Sequence, residues 1–530
     1  MTSNNLRPTE EQEAIIQSAQ GASSLMISAY AGCAKTTSLA LLGARIRGPA
    51  LALAFNRSIA EELKGRFAPN FEVRTMNGFG FGALRRAYPR VSKWELDDRK
   101  VGKLLSEAAK RAKIELMSDE WDAIRRLVSG AQNQGFALER WDESEWKELA
   151  DSLWLPIDSS GLALAHEVLV ENNQMIERGV ISFDDQIYWP TVNDQISLPQ
   201  YPVVLVDEAQ DLSPLQHSML AKALGAQSRL MVCGDSRQAI YGFRGADSAS
   251  MAKIRGLRPK DAWADRPLTL TFRCPKAIVA RQQAHAPGFR AWPGNAEGRV
   301  LRVGIDNSEN IVVDGWAWET ITELLPHPAA TLAVLCRNNA PLFSLAFKLL
   351  RRGVGVVMLG RDLGKGLKAL VTKLAPSPLP IAKFLGRLEE WRDGEVELAR
   401  LNSKSAEGGD IVPTAKMDSI WDRYDCIVAI ADGASARDSS DLRSAIDRVF
   451  ARERGVVTLS SIHKAKGLEW DCVLHLDPWR IPSKQALRAQ AIRGDEGPLE
   501  QEWNLKYVAE TRSKHTLIEA DLRDFDGGGE

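Results

Sequence analysis

The 530-residue sequence carries no surplus of charge of either sign, with 68 Lys and Arg against 69 Asp and Glu. That excludes a histone-like or polybasic chain and leaves room only for a local basic groove. No apolar run approaches the roughly 18 residues of a membrane-spanning helix. The opening MTSNNLRPTEEQ lacks the basic and apolar regions of a signal peptide. Cys33, Cys233, Cys274, Cys336, Cys426 and Cys472 are scattered and form no CxxC pair. Neither a disulfide framework nor a zinc site is expected, and a reducing, cytoplasmic setting fits. No internal repeat or long low-complexity stretch is present. Tyrosine is scarce, 7 against 15 Trp, and most of the tryptophans are expected to serve packing.

What is present is the balance of a globular protein, 44% apolar and 26% charged. At roughly 150 residues per domain the length suits about three to four domains. Short apolar runs at Leu25–Ala29, Leu51–Phe55, Val203–Val206, Leu230–Cys233, Leu332–Leu335, Val456–Leu459 and Val473–Leu476 read as buried parallel strands. Most lead through a turn into a helical pattern, the alternation of an α/β sheet, and they fall into an N-terminal and a C-terminal set. Between them, residues 84–180 show helical periodicity without a convincing strand. There Trp121, Ile124, Val128 and Ala131 recur behind a candidate Ser118 cap. Residues 376–450, punctuated by Pro376-Ser377-Pro378-Leu379-Pro380 and Glu407-Gly408-Gly409-Asp410, read as a second, smaller helical insertion. The tail from Asp526 is expected to fray.

Three segments carry chemistry. Ser28–Thr37 (SAYAGCAKTT) lies between a strand and a helical pattern, the context of a phosphate-binding loop. Its backbone N–H groups and the helix N-terminus would cradle phosphate, with Lys35 on the β and γ phosphates and Thr36 on Mg²⁺. An ordinary βα turn with an exposed lysine is the plainer alternative. The second segment, Val203–Asp211 (VVLVDEAQD), ends a buried strand in two acids. At the strand ends where open α/β sheets bind ligands, Asp207 could bind Mg²⁺ and Glu208 could activate water, the plainer alternative being a solvated acidic turn. In the third, Leu230–Ala246, a strand ends at Gly234-Asp235 and Gln238 follows. Tyr241 and Phe243 then alternate with glycines before Arg244, a pattern suited to base stacking or, more plainly, to a core.

Together these residues resemble the UvrD/Rep-like superfamily 1 DNA helicases. DEAQD at 207–211 and GDSRQAIYGFRGA at 234–246 look like motifs II and III. The other motifs follow in order: Pro8–Gln12 is similar to the Q motif, Leu53–Ala60 to motif Ia, Val73–Phe79 to Ib and Thr269–Arg273 to IV. Leu335–Asn339 resembles the segment after motif IV, Thr458–Trp470 motif V and Tyr507–Arg512 motif VI. FNRSIAEEL at 55–63 and EWNLKYVAETR at 502–512 look closest to the F-box DNA helicase branch and its bacterial and phage relatives, without an F-box.

The resemblance implies an α/β fold with two RecA-like P-loop NTPase domains, each a parallel sheet interrupted by a mainly helical insertion. The first motor domain would take residues 1–83 and 181–275, with insertion 84–180. The second would take 276–375 and 451–530, with a reduced insertion 376–450. It implies ATP and Mg²⁺ as cofactors, and single-stranded DNA, or DNA with a single-stranded tail, as partner. Hydrolysis between the two domains would drive translocation, 3′→5′, and unwinding. Glu208 becomes the base, Gln238 the γ-phosphate sensor, and Arg273 and Arg512 arginine fingers. Gln12, Ala31, Gly32, Cys33, Ala34, Lys35, Thr36, Thr37, Phe272 and Glu469 would bind ATP, and Thr36 and Asp207 the metal. Phe55, Asn77, Tyr241, Phe243, Arg337 and His463 would line the DNA path. Residues 345–373, with Lys348, Arg351, Arg352, Arg361, Lys365, Lys368 and Lys373 against Asp362, would add phosphate contacts or form a solvated helix face.

Departures from the family pattern set further expectations. Ala29, Tyr30 and Ala34 stand where the loop has glycine, and an alanine forced into a left-handed turn costs about 1–2 kcal/mol. Asn77 replaces a histidine and Phe243 a tryptophan. The 376–450 insertion is small and little chain follows Arg512, so translocation is expected to outlast unwinding, which would be weak or need a partner. A DNA-binding scaffold with a weakened ATP site is the alternative from another class. A fused nuclease domain is not expected, although a partner chain could supply one.

Overall fold

Short, largely apolar runs suit strands of a sheet covered on both faces, and the seven runs become strands of a mostly buried kind, with Ser28, Thr458 and His475 as their polar members. In the computed structural model, residues 7–54, 56–136, 141–153, 155, 157–240, 249–303, 310–311, 325–327, 329–404, 414–451, 457–494 and 496–525 are described. The N-terminal set supplies β1 (Ser24–Ala29), β2 (Ala50–Ala54) and β3 (Phe71–Thr75). After the two-residue pair β4 (Glu95–Leu96) and β5 (Val180–Ile181) come β6 (Val203–Val206), β7 (Arg229–Gly234) and β8 (Trp263–Leu268). Six of these form a sheet of order β3-β2-β6-β7-β1-β8, parallel throughout. β8 escaped the sequence reading because Asp265, Arg266 and Pro267 interrupt it. As an edge strand it tolerates the missing N–H of Pro267.

The C-terminal half opens with a ribbon of β9 (Leu270–Thr271) and β10 (Arg290–Ala291). The remaining strands are β11 (Arg299–Val303), β12 (Asn310–Ile311), β13 (Leu332–Cys336), β14 (Val356–Met358), β15 (Val457–Ser461), β16 (Trp470–Leu476) and β17 (Ser513–Ala520). They form a second parallel sheet in the order β12-β11-β17-β16-β13-β15-β14. The fold is therefore α/β with two parallel sheets. Phe55 and Val456, at the ends of two expected strands, lie outside the described residues, as does the tail from Asp526.

By contacts the chain divides into two units. One is built mainly from the residues up to Ala29 and from Ala34–Leu268, the other from Tyr30–Cys33, Thr269–Arg400 and Ile411 onward. In the first, the helices between β4 and β5 share one apolar core with the sheet. Ile124, Val128 and Ala131 of helix Ser118–Gln134 join Leu53, Val204 and Val232. The cap expected at Ser118 is Met117 instead. Ser118 is already helical, and the Glu120 carboxylate accepts the Met117 N–H at 2.8 Å. In the second unit, helices Ile381–Lys404, Thr414–Ala434 and Ser439–Phe450 place Phe384, Ile427 and Ile446 against Val334, Leu459 and Leu474.

The first core also encloses a charge pair. Lys100 and Asp185 are both inaccessible and meet at 2.5 Å. Asp185 accepts further bonds from Gln132 Nε2, Asn172 Nδ2 and the Ser182 N–H. Removing one member of a buried pair strands the other's charge. Lys100→Met is therefore expected to cost about 3–5 kcal/mol, read as a lower urea-unfolding midpoint. An unchanged midpoint would show that the pair does not anchor this unit.

No helix among the described residues is long and apolar enough to cross a membrane. None of the six cysteines forms a disulfide, and all six are buried.

Candidate functional site

β6, β7 and β1 are neighbours in the first sheet. Whatever follows their C-terminal ends therefore lines one edge of it. After β1 comes the phosphate-loop segment and helix Lys35–Gly43, after β6 Asp207 and Glu208, after β7 Asp235 and Gln238. Lys35 Nζ lies 2.8 Å from Glu208 Oε2, both side chains being largely buried. Burial opposes the Lys35 charge, but Glu208 and then Asp207 outweigh it and hold the ammonium above its ordinary pKa. Asp207 is 3% exposed, and its Oδ1 accepts the Glu208 N–H at 2.8 Å. Burial first, and the Glu208 charge second, push its carboxyl above the usual carboxylate range against the pull of Lys35.

A scaffold of amides fixes these acids. Gln210 Nε2 donates to Glu208 Oε2 at 2.6 Å, while Gln210 Oε1 accepts the Asp235 N–H at 3.0 Å. Gln238, nearly buried, donates to Asp235 Oδ2 at 2.6 Å. Two residues here sit in the left-handed region, Ala34 at φ 54° and Glu208 at φ 51°. Ala34 caps helix Lys35–Gly43, and its carbonyl accepts from the Ser38 N–H and hydroxyl. The strain expected of an alanine at this turn is thus present. Strain of this kind gathers at working sites. Gln12 caps its own helix with Thr9 and donates to Ser38 Oγ at 3.1 Å. Thr36 is half-buried on the first helical turn, and Thr37 Oγ1 accepts from Arg66 at 3.2 Å.

The second unit gathers the other expected residues, together with the loop apex. The Ala31 N–H donates to the Tyr507 hydroxyl at 2.8 Å, so that donor is committed within the protein. The Phe272 N–H donates to the Gly32 carbonyl at 3.0 Å. Gly32 has φ +69°, and a Cβ there would lie 2.5 Å from Arg273 Cβ and 2.7 Å from Thr271 Oγ1. Backbone conformation and space thus both demand glycine. Cys33 is buried, its N–H donating to the Tyr30 carbonyl. Arg273 Nε donates to Glu469 Oε2 at 2.6 Å, and Lys514 takes the other oxygen at 2.7 Å. Although burial opposes it, this pairing holds Glu469 below its ordinary pKa. Arg512 is 1% exposed, its guanidinium spread over the Val508 and Leu468 carbonyls and the Thr511 hydroxyl.

The residues expected on the DNA path are less uniform. Phe55, Tyr241 and Phe243 lie outside the described residues. Asn77 Nδ2 donates to the Phe183 carbonyl at 2.8 Å. Phe183 is 53% exposed, an aromatic face beside Asn77 that the sequence reading missed because one aromatic among acids has no periodic signal. The Arg337 guanidinium is committed to Glu502 and Asp418, at 2.6 and 2.7 Å. His463 is half-buried at the start of a short helix. Within the basic segment Lys368 pairs with Asp447, while Arg361, Lys365 and Lys373 are exposed on one helix.

A cluster of His475, Glu510 and Glu519 also brings ligand-type atoms within 4.8 Å of one another. Arg281 donates to both glutamates and Gln282 to Glu510, so their charges are already answered. Burial pushes His475 down to about 3, leaving it neutral.

The chain matches two family models. Residues 8–257 match the UvrD/REP helicase N-terminal domain and residues 435–520 the UvrD-like helicase C-terminal domain, together more than half of the chain. F-box DNA helicase protein 1 of Schizosaccharomyces pombe is 23% identical over 96% of this chain and 57% of its own length. ATP-dependent DNA helicase UvrD2 of Mycobacterium tuberculosis is 25% identical over 93% of this chain and 75% of its own. A segment covering 23% of this chain is 31% identical to the RecBCD enzyme subunit RecB of Mycolicibacterium smegmatis.

Proposed function

This chain belongs to the UvrD/REP helicase family, and from that premise we propose that it is an ATP-driven motor on single-stranded DNA. The observation that carries the reading is the row of Lys35, Asp207–Glu208 and Gln238 along one edge of the first sheet. A triphosphate draws the Lys35 ammonium away from Glu208, and the released carboxylate then orients a water and takes its proton as the water attacks the γ-phosphorus, while the bond from that phosphorus to the β,γ-bridging oxygen breaks and ADP and phosphate leave. Gln238, braced by Asp235, senses that phosphate. Thr36 and Asp207 fit Mg²⁺, since a buried carboxylate that resists ionisation gains from a cation beside it. When bound, the ion neutralises phosphate charge. By resemblance to the family motifs, Arg273 and Arg512 are assigned to the charge developing on the transferred group, Glu469 to the ribose and Phe272 to the base.

On the DNA side, Asn77 and Phe183 offer a hydrogen-bonding amide beside an exposed stacking face, and the exposed cations at Arg361, Lys365 and Lys373 suit phosphates. Movement is proposed as 3′→5′, coupled to unwinding of a tailed duplex. The test is steady-state ATP hydrolysis with and without single-stranded DNA. Strong stimulation is expected. In Phe183→Ala the DNA concentration for half-stimulation should rise, reflecting a loss of about 1–3 kcal/mol of stacking. Stimulation unchanged by that substitution would remove Phe183 from the path. One observation favours a second reading, a DNA-binding scaffold with a weakened nucleotide site: the left-handed Ala34 in the loop. A wild-type protein that binds DNA without hydrolysing ATP would establish it.

A further inference from the structure

Two large aromatic side chains stand together on the second unit with no core to enter. Phe272 and Trp292 are each 42% exposed, their ring centroids 5.5 Å apart and their planes tilted by 35°. Exposed apolar side chains are ordinary when scattered, but an adjoining pair signals a contact surface. The mount that holds this pair is firm. β9 and β10 align Arg290 with Leu270 and Ala291 with Thr271, and the Trp292 N–H donates to the Thr271 carbonyl at 2.9 Å. Asn295 closes the turn, its N–H on the Trp292 carbonyl and its side-chain amide on the Thr271 and Cys274 carbonyls, each at 2.9 Å. At Gly294 a Cβ would lie 2.8 Å from the indole Nε1, so the turn leaves room for the ring only while residue 294 is glycine.

We infer that Trp292 is a positioning residue for the nucleobase: it fixes the Phe272 ring, on whose face the purine of a nucleoside triphosphate stacks, and flanks that ring with further apolar surface. This rests on the reading of Phe272 as the base contact. The Phe272 N–H bond to the Gly32 carbonyl ties the backbone beneath the ring to the phosphate-loop apex, so a base on the platform has its phosphates close at hand. Aromatic pairing stabilises such a face beyond the area it covers.

The experiment compares ATP with inorganic tripolyphosphate, which has phosphates and no base, on the full chain. Trp292→Ala and, independently, Gly294→Ala are expected to raise the KM for ATP about tenfold with a much smaller change in kcat, and to leave competitive inhibition by tripolyphosphate unchanged. Trp292→Phe should recover part of the loss. Equal weakening of ATP and tripolyphosphate would mean that Trp292 merely holds the phosphate loop, and would overturn the proposal. If Phe272→Ala raises the KM for ATP while both ribbon variants behave as wild type, the platform is Phe272 alone and the inference fails while the reading beneath it stands. If Phe272→Ala also leaves the KM unchanged, the base lies elsewhere and both fall.

Discussion

Glu208→Gln is expected to lower DNA-stimulated ATP turnover by about 10²–10⁴-fold, the usual contribution of a general base, while ATP binding is kept or tightened. Both parts follow from one contact. Lys35 and Glu208 lie 2.8 Å apart, so a nucleotide must compete with the carboxylate for the ammonium. The amide retains the shape of the side chain and gives up the charge. Lys35 then meets phosphate without its nearest competitor, while the proposed base can no longer take the proton from water. Lys35→Ala should differ in kind, losing nucleotide affinity together with turnover and keeping weak DNA binding. Single-turnover hydrolysis alongside equilibrium ATP binding separates these outcomes. Turnover within a few-fold of wild type in Glu208→Gln would assign the base elsewhere.

The second large effect is expected at Arg512. An arginine acting on the transferred phosphoryl group is worth roughly 10³–10⁵ in rate. Arg512 has the prerequisites of a placed group. It is 1% exposed, and backbone carbonyls at Val508 and Leu468 share its guanidinium with the Thr511 hydroxyl, which fixes the planar fork in direction. Lysine keeps the charge and loses the fork. Arg512→Lys should therefore lower kcat by about 10³-fold or more, with ATP affinity nearly unchanged and the unfolding midpoint lowered only by the buried hydrogen bonds that lysine cannot replace, about 1–3 kcal/mol. A fall in midpoint matching the fall in rate would show that Arg512 is packing and has no share in the chemistry. Arg273 is held differently, by Glu469 in an ion pair open to solvent, so its variant should show the stronger salt dependence.

The strands were legible because burial on both faces leaves an unbroken apolar run, as in Val203–Val206, and the acids after that run marked the working edge of the sheet. Residues whose environment is made by distant chain were not legible. Arg337 reads as a free cation until Glu502 and Asp418 fold onto it. Lys100 reads as a surface residue at the start of an amphipathic helix, and only Asp185, far along the chain, accounts for its burial. β8 was hidden by Pro267, and the Met117 cap by a serine one position later. Trp292 and Phe183 carry no pattern at all, since a lone aromatic becomes informative only when its exposure is known.

The burial of every thiol has a kinetic consequence. A cysteine reagent finds no target on the closed protein, so labelling proceeds only as fast as the chain opens. Cys233 belongs to the first unit, and Cys33, Cys274, Cys336, Cys426 and Cys472 to the second. The molecule therefore carries two internal clocks, one for each unit. Labelling of Cys233 reports opening around the first, and labelling of the other five opening around the second.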